Sequence, residues 1–445
     1  MKKLYIKTYG CQMNFYDSEK MSDLLKHHGY TLDNNINNAD LIVINTCHIR
    51  EKAVEKTYSE LGRIRDCINS REEKTGKKSI VAVAGCVAQA QGKEIMRRSP
   101  WVDIVVGPQS YQNLPELIKK VDPLIKNRHL DIDFPVIPKF DSLNNQIYRR
   151  NVSSFLTIQE GCDKFCSFCV VPYTRGSEYS RPAQSILDEA KKLIDSGVKE
   201  ITLLGQNVNA WNSQGSDNKI WGLGRLIEEL AKIKELQFIR YTTSHPLDMD
   251  LELIEAHRDV TKLMPYLHLP VQSGSDKILK LMNRKHTSSQ YIKIIEKVRT
   301  HVPKIAISGD FIVGFPGETQ QDHQDTIDLI KEVNYSQAYS FKFSIRHGTP
   351  AARLKNQIDE DIKSERLYEI QDLLSLQQLA FNKMSINTTS NVLVLRCGKK
   401  DKQYLGKSPY NQSIYFKSEI KDLIGSTVDV TITQAFQNSL SGKIR

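Results

Sequence analysis

Short apolar runs alternate with amphipathic stretches from the start of the chain. "KLYIKTYGC" (3–11), "ADLIVINTC" (39–47) and "SIVAVAGC" (79–86) are strand-like, whereas "DSEKMSDLLKHHGY" (17–30) and "REKAVEKTYSELGRIRD" (50–66) are helix-like. That alternation predicts a parallel α/β sheet across residues 1–122. Residues 123–150 hold Pro, Asn and mixed charge without a sustained period, and read as a linker. From residue 153 the rhythm resumes at wider spacing. Candidate strands are "SFLTIQEG", "KEITLLGQNV", "QFIRYTTSH", "YLHLPVQSG", "KIAISGDFIVGF" and "SQAYSFKFSI". Six such units are too few for a closed eightfold barrel, so residues 151–380 are expected to form an open, incomplete (β/α)6 barrel. A polar helical stretch, "DEDIKSERLYEIQDLLSLQQLAFNKM", leads out of it. Residues 381–445 read as short strands between Gly, Asn and Ser turns, which predicts a small antiparallel β-barrel.

Composition narrows this α/β picture. A chain of 445 residues exceeds what one hydrophobic core serves, in keeping with several domains. No run approaches the roughly 18 apolar residues of a membrane span, and the basic start lacks the apolar stretch of an export signal, so a cytoplasmic protein is expected. The net charge of +10 is unevenly spread: residues 383–445 hold ten Lys or Arg against four Asp or Glu. In that tail Lys399, Lys400, Lys402 and Lys407 interleave with Tyr404, Tyr410, Tyr415 and Phe416, cations for phosphate and aromatics for base stacking. An RNA surface is favoured over a solvated strand face with core aromatics, although some of these rings must be core.

Eight cysteines in a reducing compartment point to metal or catalytic use rather than disulfides. Cys162, Cys166 and Cys169 form a CxxxCxxC in "EGCDKFCSFCVVPYTRG", after the first barrel strand, where a (β/α) barrel keeps its catalytic face. Three thiolates are one ligand short of a structural zinc site but suit an iron–sulfur cluster with one iron open to a small molecule. Cys11, Cys47 and Cys86 each end a predicted strand. If those strands are parallel neighbours, three more thiols emerge at one sheet edge. Cys67 and Cys397 lack such company and read as non-ligands.

"GCDKFCSFCVVPYTRG", with "YIKTYGCQMN", "NTCHIREKA" and "VAGCVAQ", resembles the methylthiotransferase family of the radical S-adenosylmethionine (SAM) superfamily, and the tail is similar to an RNA-binding TRAM domain. The resemblance extends to "LLGQNVN", "YTTSHP", "HLPVQSGS" and "DFIVGFPGET". It implies two [4Fe-4S] clusters, one on each cysteine trio, with SAM as both methyl donor and radical source. SAM would chelate the open iron held by Cys162, Cys166 and Cys169, and one electron would cleave it to a 5′-deoxyadenosyl radical. The cluster on Cys11, Cys47 and Cys86 would carry the sulfur. The implied substrate is a tRNA anticodon stem-loop carrying isopentenyladenosine, methylthiolated at C2. A low-potential donor such as flavodoxin or ferredoxin would supply electrons, and the sulfur donor is left open.

The resemblance also suggests cofactor contacts. Phe168 corresponds to an aromatic beside the adenine. Gln206 and Asn207 stand where many superfamily members carry Gly-Gly-Glu, so the contact to the SAM amino group is open. Gln272 and Asp310, with His268 and Ser273, suit SAM or substrate contacts and equally suit satisfied buried polar residues. The "GFPGE" glycines suit a cofactor's approach to the backbone or an ordinary connector, and Arg175, Arg181, Arg346 and His347 suit phosphate or a solvated surface. Competing readings are a methylthiotransferase for threonylcarbamoyladenosine in tRNA, one for a ribosomal-protein aspartate, and a non-catalytic iron–sulfur RNA-binding redox sensor.

Overall fold

The computed structural model describes residues 1–48, 52–121, 127–135, 139–142 and 151–445. Residues 49–51 and, of the predicted linker, residues 123–126, 136–138 and 143–150 lie outside the described residues. The chain divides into two compact units. The first comprises Met1–Tyr148 with Glu160–Asp163 and Cys169–Tyr179; the second comprises Arg149–Gln159, Lys164–Phe168 and Ser180–Arg445.

In the first unit β1 (Lys2–Thr8), α1 (Gln12–His27), β2 (Tyr30–Leu32), β3 (Leu41–Thr46), α2 (Lys52–Thr75), β4 (Ile80–Gly85), α3 (Cys86–Arg98), β5 (Ile104–Val106), α4 (Leu114–Lys120), β6 (His129–Asp131) and α5 (Lys139–Ser142) follow in order. The strands form the expected parallel sheet, ordered β2-β1-β3-β4-β5-β6. Its apolar residues are continuous because both faces are covered. Leu41 and Val43 meet Met21, Leu25 and Leu114 on one side, while Ile42 and Ile44 meet Leu61, Ile64 and Ile95 on the other. Strand β6 lies inside the stretch read as linker. Its pairing to β5 is made by backbone groups, which leave no hydrophobic period to read.

The second unit opens with β7 (Ser153–Thr157); α6 (Val171–Arg175), which follows it in the chain, belongs to the first. Then come α7 (Ala183–Asp195), β8 (Glu200–Leu204), α8 (Leu223–Ala231), β9 (Phe238–Thr242), α9 (Leu251–Asp259), β10 (Tyr266–His268), α10 (Asp276–Leu281), α11 (Ser288–His301), β11 (Ala306–Val313), α12 (Gln320–Val333), β12 (Gln337–Lys342) and α13 (Glu360–Lys383). Strands β7-β8-β9 and β10-β11-β12 pair in parallel, and a single bridge from Ile239 to Leu263 connects the two sets. Among the described residues β7 and β12 do not pair, so the sixfold barrel is open as expected. Parity along the strands separates two faces. Leu156, Ile201, Leu203, Ile239 and Tyr241 are buried apolar residues, whereas Thr202, Arg240, His268, Ser308 and Asp310 occupy the alternate positions.

The tail closes a five-stranded barrel of β13 (Thr389–Cys397), β14 (Gln403–Lys407), β15 (Ser413–Lys417), β16 (Thr427–Ala435) and β17 (Leu440–Ile444), ordered β13-β14-β15-β17-β16. All pairs are antiparallel except β15 with β17. A buried ion pair ties this barrel to the preceding one. Arg240 Nε meets Glu200 Oε2 at 2.6 Å, and its other nitrogens donate to the Ser408 and Pro409 carbonyls at 2.8 and 2.9 Å. No helix among the described residues is long and apolar enough to cross a membrane.

Removing one partner of such a pair leaves a charge buried. Arg240→Ala is expected to lower stability by roughly 3–5 kcal/mol, measured as a fall in the urea midpoint. The triple change Arg240→Met, Glu200→Gln and Lys407→Met, which removes the pair and the neighbouring cation together, is expected to recover most of that loss.

Candidate active site

Strand register delivers the N-terminal thiols. Thr8 pairs with Asn45 and Thr46 with Gly85, so β1, β3 and β4 end nearly level. Cys47 and Cys86 are the next residues, and Cys11 follows three residues after Thr8. Gly10 has φ +120°, and a Cβ there would overlap Cys47 Cβ, so only glycine lets the two segments approach. Cys11 caps α1 and Cys86 begins α3, which places both thiols at the positive ends of helix dipoles. The Cys11 thiol is drawn down to about 6, chiefly by a hydrogen bond from Cys47 and further by the charge of Arg175, against burial. Burial pushes the Cys86 thiol up, opposed by Arg175. Below them Asn45 Nδ2 donates to the Asn14 carbonyl at 2.7 Å and to Ser18 Oγ at 2.9 Å.

The second trio lies in the loop after β7. At Gly161, φ is +72° and a Cβ would overlap the Ser177 carbonyl, so the loop begins at a position closed to other residues. Cys162 N–H donates to the Gly176 carbonyl, and Val171 N–H donates to Cys169 Sγ at 3.4 Å. In the second unit, Ser167 is fixed by hydrogen bonds to the Met282 and Leu281 carbonyls. Asn283 Nδ2 donates to the Lys164 and Phe165 carbonyls, and Arg284 Nη1 donates to Cys166 Sγ at 3.6 Å. Lys164 Nζ meets Asp248 Oδ1 at 2.7 Å, while Asn207 Nδ2 donates to Asp248 Oδ2 at 2.9 Å. This chain links the loop to the end of β8.

Among the described residues, no three Cys, His, Asp or Glu side chains are gathered into a ready-made metal site. The fit to clusters therefore rests on donor chemistry, strand-end placement and the helix termini. For SAM, the telling feature is unpaired polarity. Asn207 Oδ1, Ser244 Oγ, His245 Nε2, Arg284 Nε and His286 Nε2 are buried without a hydrogen-bond partner. Such atoms are costly unless a ligand satisfies them. Backbone strain marks the same loops: Phe165, Thr243 and Gln272 have φ of +48°, +72° and +83°.

The residues expected to contact the cofactor have the following surroundings. Phe168 is half-buried against Ile278, Met282, Phe315 and Phe343. Gln206 is held through its N–H by Gln159 Oε1 at 2.8 Å. Gln272 bridges β11 through its backbone, donating to the Asp310 carbonyl at 2.9 Å. His268 Nε2 lies 3.6 Å from Asp310 Oδ2, and its Nδ1 is 3.1 Å from Ser308 Oγ. Ser273 is buried and satisfied by Thr326 and the Ser275 N–H, a structural role.

Several other expectations change. The space left open at Gly314 in "GFPGE" is filled by the Lys363 side chain. Arg175 and Arg181 are neither solvated nor free for phosphate: Arg181 is buried against Glu189 at 2.7 Å, and Arg175 against Asp17 and Glu160. Lys407 faces Glu200 and Arg240 instead of RNA, and burial lowers its pKa. Tyr404 and Phe416 stack in the barrel core with centroids 5.9 Å apart, whereas Lys399, Lys400 and Lys402 are exposed. Asp248, Asn283 and Arg284 were missed. Asp248 lies six residues past β9, and Asn283 and Arg284 lie just past α10, positions that no local period distinguishes from any other connecting loop.

Comparison with known proteins agrees with this layout. Residues 3–107 match the Uncharacterized protein family UPF0004, residues 156–330 the Radical SAM superfamily and residues 385–444 the TRAM domain. The chain is 57% identical over 444 residues to the tRNA-2-methylthio-N(6)-dimethylallyladenosine synthase of Rickettsia bellii (strain RML369-C), covering 100% of this chain and 99% of that one. The synthase of the same name from Rickettsia rickettsii (strain Sheila Smith) is 56% identical with the same coverage. Among solved structures, the radical S-adenosylmethionine methyltransferase TsrM from Kitasatospora setae, with cobalamin and a [4Fe-4S] cluster bound, matches with TM-score 0.56 and 13% identity over 79% of this chain and 77% of that one. The cobalamin-dependent S-adenosylmethionine radical enzyme OxsB, with aqua-cobalamin and S-adenosylmethionine bound, matches at TM-score 0.53 and 14% identity, covering 84% of this chain; the chain spans 56% of OxsB. At these identities the structures speak to fold alone.

Burial holds two histidines of this region neutral. It lowers His245 to about 2, helped by Arg284, and His257, whose Nε2 lies 2.7 Å from Tyr241 Oη, to about 3. Their folded values lie below the unfolded value near 6.5, so the unfolded chain takes up protons first as pH falls. The stability they contribute is complete above pH 6.5 and is lost on acidification below it, by about 2 kcal/mol per histidine at pH 5. Urea unfolding of the metal-free chain at pH 7.5 and 5.0 checks this; equal midpoints would contradict two neutral buried imidazoles.

Proposed function

The chain belongs to the tRNA-2-methylthio-N(6)-dimethylallyladenosine synthase family, and we infer that it is a radical SAM methylthiotransferase acting at C2 of that base in tRNA. The observation that carries this is the 57% identity running over the whole chain. It favours the dimethylallyl substrate over the threonylcarbamoyl and ribosomal-aspartate branches. An iron–sulfur cluster and SAM follow from the radical SAM core. We assign that cluster to Cys162, Cys166 and Cys169, and a second to Cys11, Cys47 and Cys86. When bound, these groups supply the electron, the radical, the methyl and the sulfur.

The chain's own residues have the tasks of holding and orienting. Lys164, Asp248, Asn207 and Asn283 fix the cysteine loop. Phe168, Gln206, Gln272 and Asp310 are assigned to SAM or substrate, and Asn207, His245 and Arg284 supply the unpaired donors and acceptors that a zwitterionic nucleoside needs. In the TRAM domain Lys399, Lys400 and Lys402, with Lys417 paired across strands to Lys443, offer exposed cations for phosphate. We take the base to be the adenosine beside the anticodon, where a single-stranded loop makes unstacking inexpensive. A low-potential donor such as flavodoxin or ferredoxin, and a cytoplasmic setting that keeps thiols reduced, complete the proposal.

Nucleoside mass spectrometry of tRNA from a deletion strain is expected to show dimethylallyladenosine without its 2-methylthio form, restored by the native gene and not by Cys166→Ala. Persistence of the methylthio nucleoside in the deletion would overturn the assignment. Reconstituted protein given dithionite and SAM is expected to release 5′-deoxyadenosine; none would favour the sensor reading. Iron and sulfide are expected at about eight each per chain, and about four would remove the second cluster.

A further inference from the structure

Strand β12 is the free edge of the open barrel, since it pairs with β11 alone among the described residues. Its chain alternates aromatic and polar residues. Tyr339, Phe341 and Phe343, whose N–H continues the ladder to the Val313 carbonyl, fall on one face, and Ser340 and Lys342 on the other. What each face meets identifies it. Lys342 Nζ reaches Glu360 Oε2 at 2.9 Å and Ser364 Oγ at 3.3 Å, both on α13, so the polar face is the one that a helix covers. Tyr339 meets His268 edge-on with ring centroids 6.5 Å apart, and its register partner is Asp310, so the aromatic face lines the barrel interior.

This reverses the polarity of the neighbouring strand. On β11 the helix-covered side carries Ile307, Phe311 and Val313, all buried, with the Phe311 ring 5.3 Å from that of Tyr335, whose hydroxyl donates to Tyr291 Oη of α11 at 3.0 Å. The interior side of β11 carries Ser308 and Asp310. Across the ladder Phe311 pairs with Ser340, and Asp310 with Tyr339. Two large rings are thereby turned toward a polar interior, where Tyr339 stays 46% and Phe341 40% exposed. Phe343, next in the column, is buried 5.2 Å from the Phe315 ring in a cluster that includes Phe168 and Ile312. The exposed pair thus stands between Phe168 at one end and His268 with Asp310 at the other, all of them residues expected to contact SAM or substrate. Gln337 Nε2 donates to Tyr339 Oη at 2.9 Å and fixes that ring from below.

We propose that Tyr339 and Phe341 are specificity-determining contacts for the substrate base, the Tyr339 ring stacking on the adenine of an extruded nucleotide and Phe341 packing against its dimethylallyl group. This role rests on the reading that the chain modifies dimethylallyladenosine in tRNA. A base drawn out of an RNA loop loses its stacking neighbours, and an aromatic face replaces them. The dimethylallyl group is apolar, so a lumen lined by polar residues alone would gain nothing from burying it. Alternate residues of a strand stand about 7 Å apart on one face, a separation that a purine and its N6 substituent bridge. The reversed polarity of β12 supplies both surfaces at the open edge, where an RNA loop has access.

The test titrates reconstituted full-length protein with fluorescein-labelled anticodon stem-loops carrying either dimethylallyladenosine or adenosine, and follows methylthiolation in parallel. Tyr339→Leu is expected to weaken binding of the dimethylallyl stem-loop about tenfold or more, and Tyr339→Phe, which keeps the ring, to restore it. Phe341→Ser is expected to cut the preference for the dimethylallyl over the unmodified stem-loop about tenfold, with Phe341→Leu intermediate. Parental affinity in Tyr339→Leu, or an unchanged preference in Phe341→Ser, would overturn the proposal. A Phe341→Ser loss shared equally by both stem-loops, or weaker binding accounted for by a lowered melting temperature, would make the rings structural and also overturn it. A parent protein that neither prefers nor methylthiolates the dimethylallyl stem-loop would refute the underlying reading itself, an outcome visible before any residue is changed.

Discussion

Parallel strand register is the constraint on which the rest of this chain depends. In both units side chains with chemistry to perform stand just past the carboxyl ends of parallel strands, where the backbone ladder has ended and helix N-termini begin. Cys47 and Cys86 occupy equivalent positions only because Thr46 pairs with Gly85. A slip of one residue in that ladder would turn Ile42 and Ile44 to the opposite face and carry the thiols out of level. The same logic applies in the barrel, where Asn207, Thr243 and Gln272 follow strands β8, β9 and β10.

Buried charge then does what apolar packing cannot, fixing orientation. The Asp17, Lys139, Glu160 and Arg175 set joins α1, α5 and both flanks of the cysteine loop through bonds that tolerate little rotation. Glu200, Arg240 and Lys407 do the same between the open barrel and the TRAM barrel. Such sets contribute little net stability against well-packed apolar residues, yet breaking one is costly, so they define one arrangement over its neighbours.

The cysteine loop shows the opposite economy. It is pinned through Ser167, Asn283 and Lys164, whereas buried atoms of neighbouring loops, such as His245 Nε2 and Arg284 Nε, lack partners. A loop held by satisfied hydrogen bonds beside buried atoms without partners suits a ligand that completes them.

The sequence alone determined the α/β class, the six barrel units, the small terminal barrel and the two cysteine trios. Each of these is written in local period or spacing: "LIVINTC" reads as a strand ending in a thiol wherever it folds. Strand β6 was illegible, because three residues paired through the backbone leave no pattern. Arg175, Arg181 and Lys407 were misplaced for a related reason, since a basic residue looks alike in sequence whether water or a carboxylate from 158 residues away faces it. Only the tertiary structure decided which cations are buried and which buried atoms remain unpaired. Those outcomes depend on partners brought together across long separations, and pairing over such distances is carried by no local period.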